Sequence, residues 1–188
     1  MAADDCDLSA LRDQCTRFLH GHGPVRVADL LATIPPETAV DRYGDGGVVA
    51  ALETEVAGLL GKSAAVFLPS GTMAQQAVLR VHAGHRQRRT ILFHPMCHLE
   101  RHEGQAYQRL QGLTGRPVGD PNRLITLKDL ASVAEPAAAL LLELPQRDIG
   151  GQQPSWDDLA AQCDWAASRG GLGAYLPGYP AAQDAAVP

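Results

Sequence analysis

With 188 residues, the chain is expected to form one domain or most of one. Apolar residues make up 45 % of it and aromatics only 5 %, which suits helices packed closely on a sheet. A formal charge of −5 offers no basic field for nucleic acid, and no apolar run approaches the length of a membrane span.

Residues 1–7 are acidic and lack the basic and apolar regions of a secretory signal. Cys6, Cys15, Cys97 and Cys163 are scattered and form no CxxC pair, so free thiols in a reducing cytoplasm are expected. Leu8, Leu11, Cys15, Phe18 and Leu19 recur with a helical period, and Gly21-His22-Gly23-Pro24 ends that helix. A second short helix is predicted over 27–34, stopped by Pro35-Pro36. A third runs from Gly47 to Leu60 with an apolar face of Val48, Leu52, Val56, Leu59 and Leu60. The run Ala64-Ala65-Val66-Phe67-Leu68 reads as a buried strand, Ser70-Gly71-Thr72 as a tight turn, and residues 73–80 as helix.

A second strand is predicted at 90–93, a helix over 98–110 broken by Gly112, and a short strand at 116–118. A helix over 127–133 follows, with Thr126 as its N-cap. Residues 137–144 form the most apolar run and are expected to be a central parallel strand. Residues 156–168 read as helix, with Trp156, Leu159, Ala160, Cys163 and Ala167 on its apolar face. From Gly170 onward the only charged residue is Asp184, and glycine, proline and alanine predict an irregular tail. Strands alternating with helices imply an α/β fold on a mostly parallel sheet. The expected division is 1–40 as a helical segment, 41–169 as the main body and 170–188 as the tail.

The turn at Ser70-Gly71-Thr72 has two readings. Ser70 is a good N-cap, Gly71 lets a ligand approach the backbone, and Thr72 adds a hydroxyl, so the helix N-terminus suits a phosphate. An ordinary capped helix after a strand has the same pattern.

The segment Asp41-Arg42-Tyr43-Gly44, the helix after it, Leu59-Leu60-Gly61-Lys62 and Pro69-Ser70-Gly71-Thr72-Met73 follow one another in a recognisable order. His98-Leu99-Glu100-Arg101-His102-Glu103-Gly104, Leu142-Glu143-Leu144-Pro145-Gln146-Arg147 and Gly150-Gly151 continue it. In that order and spacing, residues 41–169 resemble the threonine aldolase / aromatic amino acid β-eliminating lyase family of pyridoxal-phosphate (PLP) enzymes. The resemblance implies the N-terminal part of an aspartate aminotransferase-like large domain. It implies a lyase that cleaves a β-hydroxy-α-amino acid such as L-threonine, or eliminates at Cβ, in a homo-oligomer. It implies PLP near Ser70, Gly71, Thr72, His98 and Glu143, with His98 stacking on the pyridine ring. Glu143 would face that ring or a substrate amine. Gln146 and Arg147 would meet the substrate. Gln146 falls where the family commonly carries a histidine, and a glutamine cannot act as a base at neutral pH. Arg147 suits a substrate carboxylate or, equally, a solvated loop.

Departures from the family pattern shape the remaining expectations. The Arg-Ser-Asp-Thr sequence usual near its N-terminus is absent. The family's lysine, which holds PLP as a Schiff base, has no counterpart, because only Lys62 and Lys128 occur and neither falls where the ring is expected. The aspartate and arginine due after Arg169 are also missing, as in a truncated or frameshifted gene, so little turnover is expected. By the family's topology, strand 64–67 would pair with the last strand of the sheet, and the three strands that bridge its two halves would lie beyond Arg169. The chain would then keep an unpaired strand and uncovered helix faces. Two other functions fit parts of the sequence. His94, His98 and His102, spaced by four with Glu103 adjacent, suggest a metal-dependent hydrolase, although Pro95 disfavours one helix through them. A non-enzymatic remnant that associates with a full-length lyase is the other.

Overall fold

A computed structural model describes residues 8–17, 25–41, 46–169 and 173–175. The chain divides into two compact units, residues 1–51 and 52–188. In the first lie α1 (Leu8–Gln14) and α2 (Val27–Leu31). α1 covers the first part of the expected helix; residues 18 and 19 of that expectation lie outside the described residues. α2 is shorter than predicted. Its last turn tightens, with Thr33 N bonding Leu30 O and Ile34 N bonding Leu31 O, because Pro35 disfavours helical backbone at Ile34.

α3 (Gly47–Leu59) and α4 (Gly71–Arg86) follow. The Ser70 hydroxyl caps α4 by accepting from Met73 N at 3.2 Å, as the sequence predicts. Then come β1 (Thr90–Phe93), the short helices α5 (His98–Arg101) and α6 (Ala106–Arg109), and β2 (Thr114–Pro117). α7 (Leu127–Ala131), β3 (Ala139–Leu141), a 3-10 turn at Arg147–Ile149, α8 (Trp156–Ser168) and β4 (Gly173–Tyr175) complete the order. All four strands are parallel, in the order β2-β1-β3-β4. Pro117 is tolerated in β2 because that strand is the sheet edge.

Side chains alternate across β1 and β3 and divide the core in two. Leu92 and Leu140 point to one side, where they pack with Ile125, Leu130 of α7 and Leu159 and Ala166 of α8. Ile91, Phe93, Ala139 and Leu141 point to the other and meet Leu79 of α4, Leu99 of α5 and Tyr107 of α6. The unit is therefore helix, sheet, helix, and its central strands are apolar on both faces as parallel strands require.

Several expectations need correction. Residues 64–68 form no strand. They run without ladder partners, and the amide of Phe67 is taken instead by the Glu53 carboxylate at 2.7 Å. The apolar face expected for α3 is largely uncovered: Leu52, Leu59 and Leu60 are exposed and Ala57 is the buried position. The single helix predicted over 98–110 is two. Gly104 and Gln105 adopt φ values of 60° and 57°, which break the helix and let Tyr107 turn into the core against Phe93. The tail is not wholly irregular, because Gly173-Ala174-Tyr175, ahead of its first proline at Pro177, pairs with β3. α8 has the predicted bounds but is rotated. Leu159, Gln162 and Ala166 are buried while Trp156 is exposed, and Gln162 donates to Ile125 O at 3.2 Å.

Thr126 caps α7 in a full capping box. Asp129 accepts from Arg123 at 2.6 and 2.9 Å, from the Thr126 hydroxyl at 2.7 Å and from Thr126 N at 2.8 Å. The Arg123 guanidinium, then the Thr126 donors, hold this carboxyl well below the usual carboxylate range. A depressed folded pKa stabilises above the unfolded value, near 4, and the contribution is lost as pH falls through the folded value. Asp129→Asn is expected to cost about 1–2 kcal/mol at neutral pH by chemical denaturation. The gap from the wild type should narrow only below about pH 4. A gap that stays constant down to pH 2 would refute this account of the cap.

Candidate functional site

The sheet order places the crevice. After β1 the chain crosses on the α5–α6 side to β2, then returns on the α7 side to β3, on the far flank of β1. Connections thus diverge to opposite faces at the carboxyl ends of β1 and β3, the position where open α/β sheets bind ligands.

His98 and Glu143 meet there. His98 opens α5 five residues after β1, and its backbone N–H donates to Glu143 Oε2 at 2.8 Å. Glu143 lies two residues past β3, and Gln146 Nε2 donates to the same oxygen at 3.1 Å and to Met96 O at 2.9 Å. Gln146 is buried and its backbone N–H donates to Gln152 O, so it braces the loop. Arg147 is exposed at the start of the 3-10 turn.

Ser70, Gly71 and Thr72 are exposed at the start of α4. A Cβ on Gly71 would meet nothing within 4 Å, so the turn is open to an approaching group. Thr72 and Gln76 lie four residues apart, hence on one helix face. Gln76 is buried, and its Nε2 donates to Glu103 Oε2 at 3.3 Å. Glu103 Oε1 lies 3.8 Å from His98 Nε2. A chain of side chains therefore leads from the face of α4 to His98. Sequence reasoning gave Gln76 no role; its signal was a polar residue one turn beyond Thr72 on the same helix face. It also overlooked Asp148, which His102 Nε2 meets at 2.7 Å.

The three histidines do not form a metal centre. His94 Nδ1 accepts from Met96 N at 3.0 Å, which leaves Nε2 as the protonated nitrogen facing the carbonyls of Arg123 and Asp120 at 2.8 and 3.1 Å. Both ring nitrogens are committed to the loop. Among the described residues, no three His, Cys, Asp or Glu side chains are grouped to hold a metal. Cys97, beside the crevice, is buried, and that burial pushes its thiol up to about 12, so it is no nucleophile at neutral pH.

Known proteins resemble this chain over most of its length. The β-eliminating lyase family matches residues 28–174. A Listeria monocytogenes structure described as an L-allo-threonine aldolase is 40 % identical, with a TM-score of 0.77 over 85 % of this chain and 45 % of its own. An Exiguobacterium structure described as an aromatic amino acid β-eliminating lyase/threonine aldolase is 37 % identical, with a TM-score of 0.80 over 91 % of this chain and 49 % of its own. No curated protein matches significantly. The chain thus spans slightly less than half the length of these two structures. With its partial α/β sheet and a match across most of its length, the chain belongs to the threonine aldolase / β-eliminating lyase family.

Proposed function

We propose that residues 41–169 form the cofactor-binding portion of a PLP-dependent lyase that acts on a β-hydroxy-α-amino acid such as L-threonine. The observation that carries this reading is the bond from His98 N to Glu143 at the carboxyl ends of β1 and β3, with the N-terminus of α4 tied to it through Gln76 and Glu103. When bound, PLP supplies an electron sink for bond cleavage next to the substrate's α-carbon.

The non-covalent part of a PLP site fits the residues present. Ser70 Oγ occupies Met73 N, and the geometry of a first helical turn leaves the amides of Gly71 and Thr72 without intrahelical acceptors, ready for a phosphate. The His98 ring offers an aromatic face. Glu143 fixes the start of α5 and is itself oriented by Gln146. Arg147 is exposed where a substrate carboxylate could pair with it. The covalent part does not fit. Lys128 stands on α7, across the sheet from His98, and Lys62 precedes α4, so neither lies on the elements that carry His98 and Glu143. The chain alone is therefore a binder with little turnover. Homo-oligomeric assembly and a cytoplasmic setting belong to the same proposal.

Two measurements test it. Titration of the full chain with PLP should change the cofactor's absorbance and fluorescence, and Gly71→Asp, which sets a negative charge against the phosphate, should weaken binding at least about tenfold. Borohydride treatment of the complex should leave no pyridoxyl group on Lys62 or Lys128. Stoichiometric labelling of either lysine, or binding indifferent to Gly71→Asp, would sink the reading.

The exposed apolar residues Leu59, Val66 and Phe67 favour a second reading, in which the chain associates with a longer relative.

A further inference from the structure

We propose that Glu103 is a positioning residue that holds the His98 ring in one orientation with the imidazole proton on Nε2, an assignment that rests on His98 being the cofactor-facing ring. The Glu103 side chain is only 2 % exposed. A buried carboxylate is costly unless donors meet it. Gln76 supplies one donor to Oε2, while Oε1 has no hydrogen-bond partner among the described residues. His98 Nε2, 3.8 Å from Oε1, is the ring nitrogen that faces it. The other ring nitrogen, Nδ1, is buried without a hydrogen-bond partner among the described residues. A proton on Nδ1 would be a stranded buried donor, which is rarer and costlier than a stranded acceptor. A proton on Nε2 points at the carboxylate.

The neighbouring charges leave this pairing to Glu103. Glu143 bonds the backbone of His98 rather than its ring. The His102 ring lies 5.1 Å from the His98 ring, tilted by 35°, but its own Nε2 is turned to Asp148. The backbone explains how Glu103 gets there. α5 ends at Arg101, and Gly104 at φ 60° turns the chain back, a conformation that favours glycine. Glu103 thereby lies within reach of both α5 and Gln76 of α4.

The experiment uses the full chain with 15N-labelled histidine and long-range nitrogen–proton correlation at about pH 9, above the ordinary histidine range. His98→Phe identifies the His98 signals by their loss. The wild type should show a single Nε2-protonated form of His98, and Glu103→Met should convert it to an averaged or Nδ1-protonated form. PLP affinity supplies a second readout. Glu103→Met should weaken binding about tenfold in the wild type but less than about twofold when combined with His98→Phe, because its effect passes through that ring. Averaged or Nδ1-protonated signals in the wild type, or equal losses in both backgrounds, overturn the assignment. The wild-type spectrum decides even if Glu103→Met does not fold. A wild type with the Nε2 form but no PLP binding overturns the cofactor reading and leaves the Glu103–His98 pairing standing.

Discussion

A chain carrying Gly115→Ala is expected to unfold roughly 6–12 °C below the wild type, corresponding to about 3 kcal/mol. Gly115 pairs with Ile91 in the sheet, and a Cβ there would run into the Tyr107 hydroxyl and come within 2.7 and 2.8 Å of Phe93 ring atoms. Neither ring can give way easily. Phe93 is fully buried, and the two rings meet edge to face at 5.5 Å. The Tyr107 hydroxyl also donates to Glu100 at 2.7 Å, so moving it pulls on α5, the helix that His98 opens. The substitution should therefore lower PLP affinity as well as stability. Differential scanning calorimetry with a PLP titration checks both. A melting temperature within about 2 °C of the wild type would mean that the Phe93–Tyr107 pair repacks freely.

What the sequence discloses depends on how local the deciding interaction is. Ser70 and Thr126 cap the helices they precede because a cap is settled within four residues. β1 and the core of β3 were readable because strands buried on both faces must be continuously apolar. Residues 64–68 have the same composition, yet whether such a run becomes a strand depends on a partner that no local pattern encodes. The break between α5 and α6 takes a positive φ at Gln105 as well as at Gly104, and a glutamine's identity does not announce one. In α8, Gln162 occupies a buried position because it reaches Ile125 O, so counting apolar residues misplaced the helix face. The site divides in the same way. His98 and Glu143 follow strand ends and could be placed at the carboxyl edge by topology. The Gln76–Glu103–His98 link joins residues 27 and 5 positions apart through side-chain geometry alone.

In size-exclusion chromatography the isolated chain is expected to elute larger than a 20.0 kDa monomer, with an apparent size that rises with concentration. Leu52, Val56, Val66, Phe67 and Leu68 line one groove between α3 and the start of α4. Val66 is 77 % exposed and Phe67 51 %, and Leu59 nearby in sequence is 77 % exposed. Residues 65 and 66 and their neighbours also leave backbone groups without ladder partners, a template for another chain's strand. Single exposed apolar residues are ordinary, but a contiguous set beside an unpaired extended segment favours association. The two related structures are about twice as long as the stretch they share with this chain, which leaves scope for such a face to be covered in them. Phe67→Asp combined with Val66→Thr should shift elution toward monomer while changing the melting temperature by less than about 2 °C, because neither side chain is in the core. A monodisperse monomer with one sharp unfolding transition in the unmodified chain would contradict this account. Residues 64–68 would then satisfy their backbone in some other way, and the reading of the chain as a partner for a longer relative would lose its support.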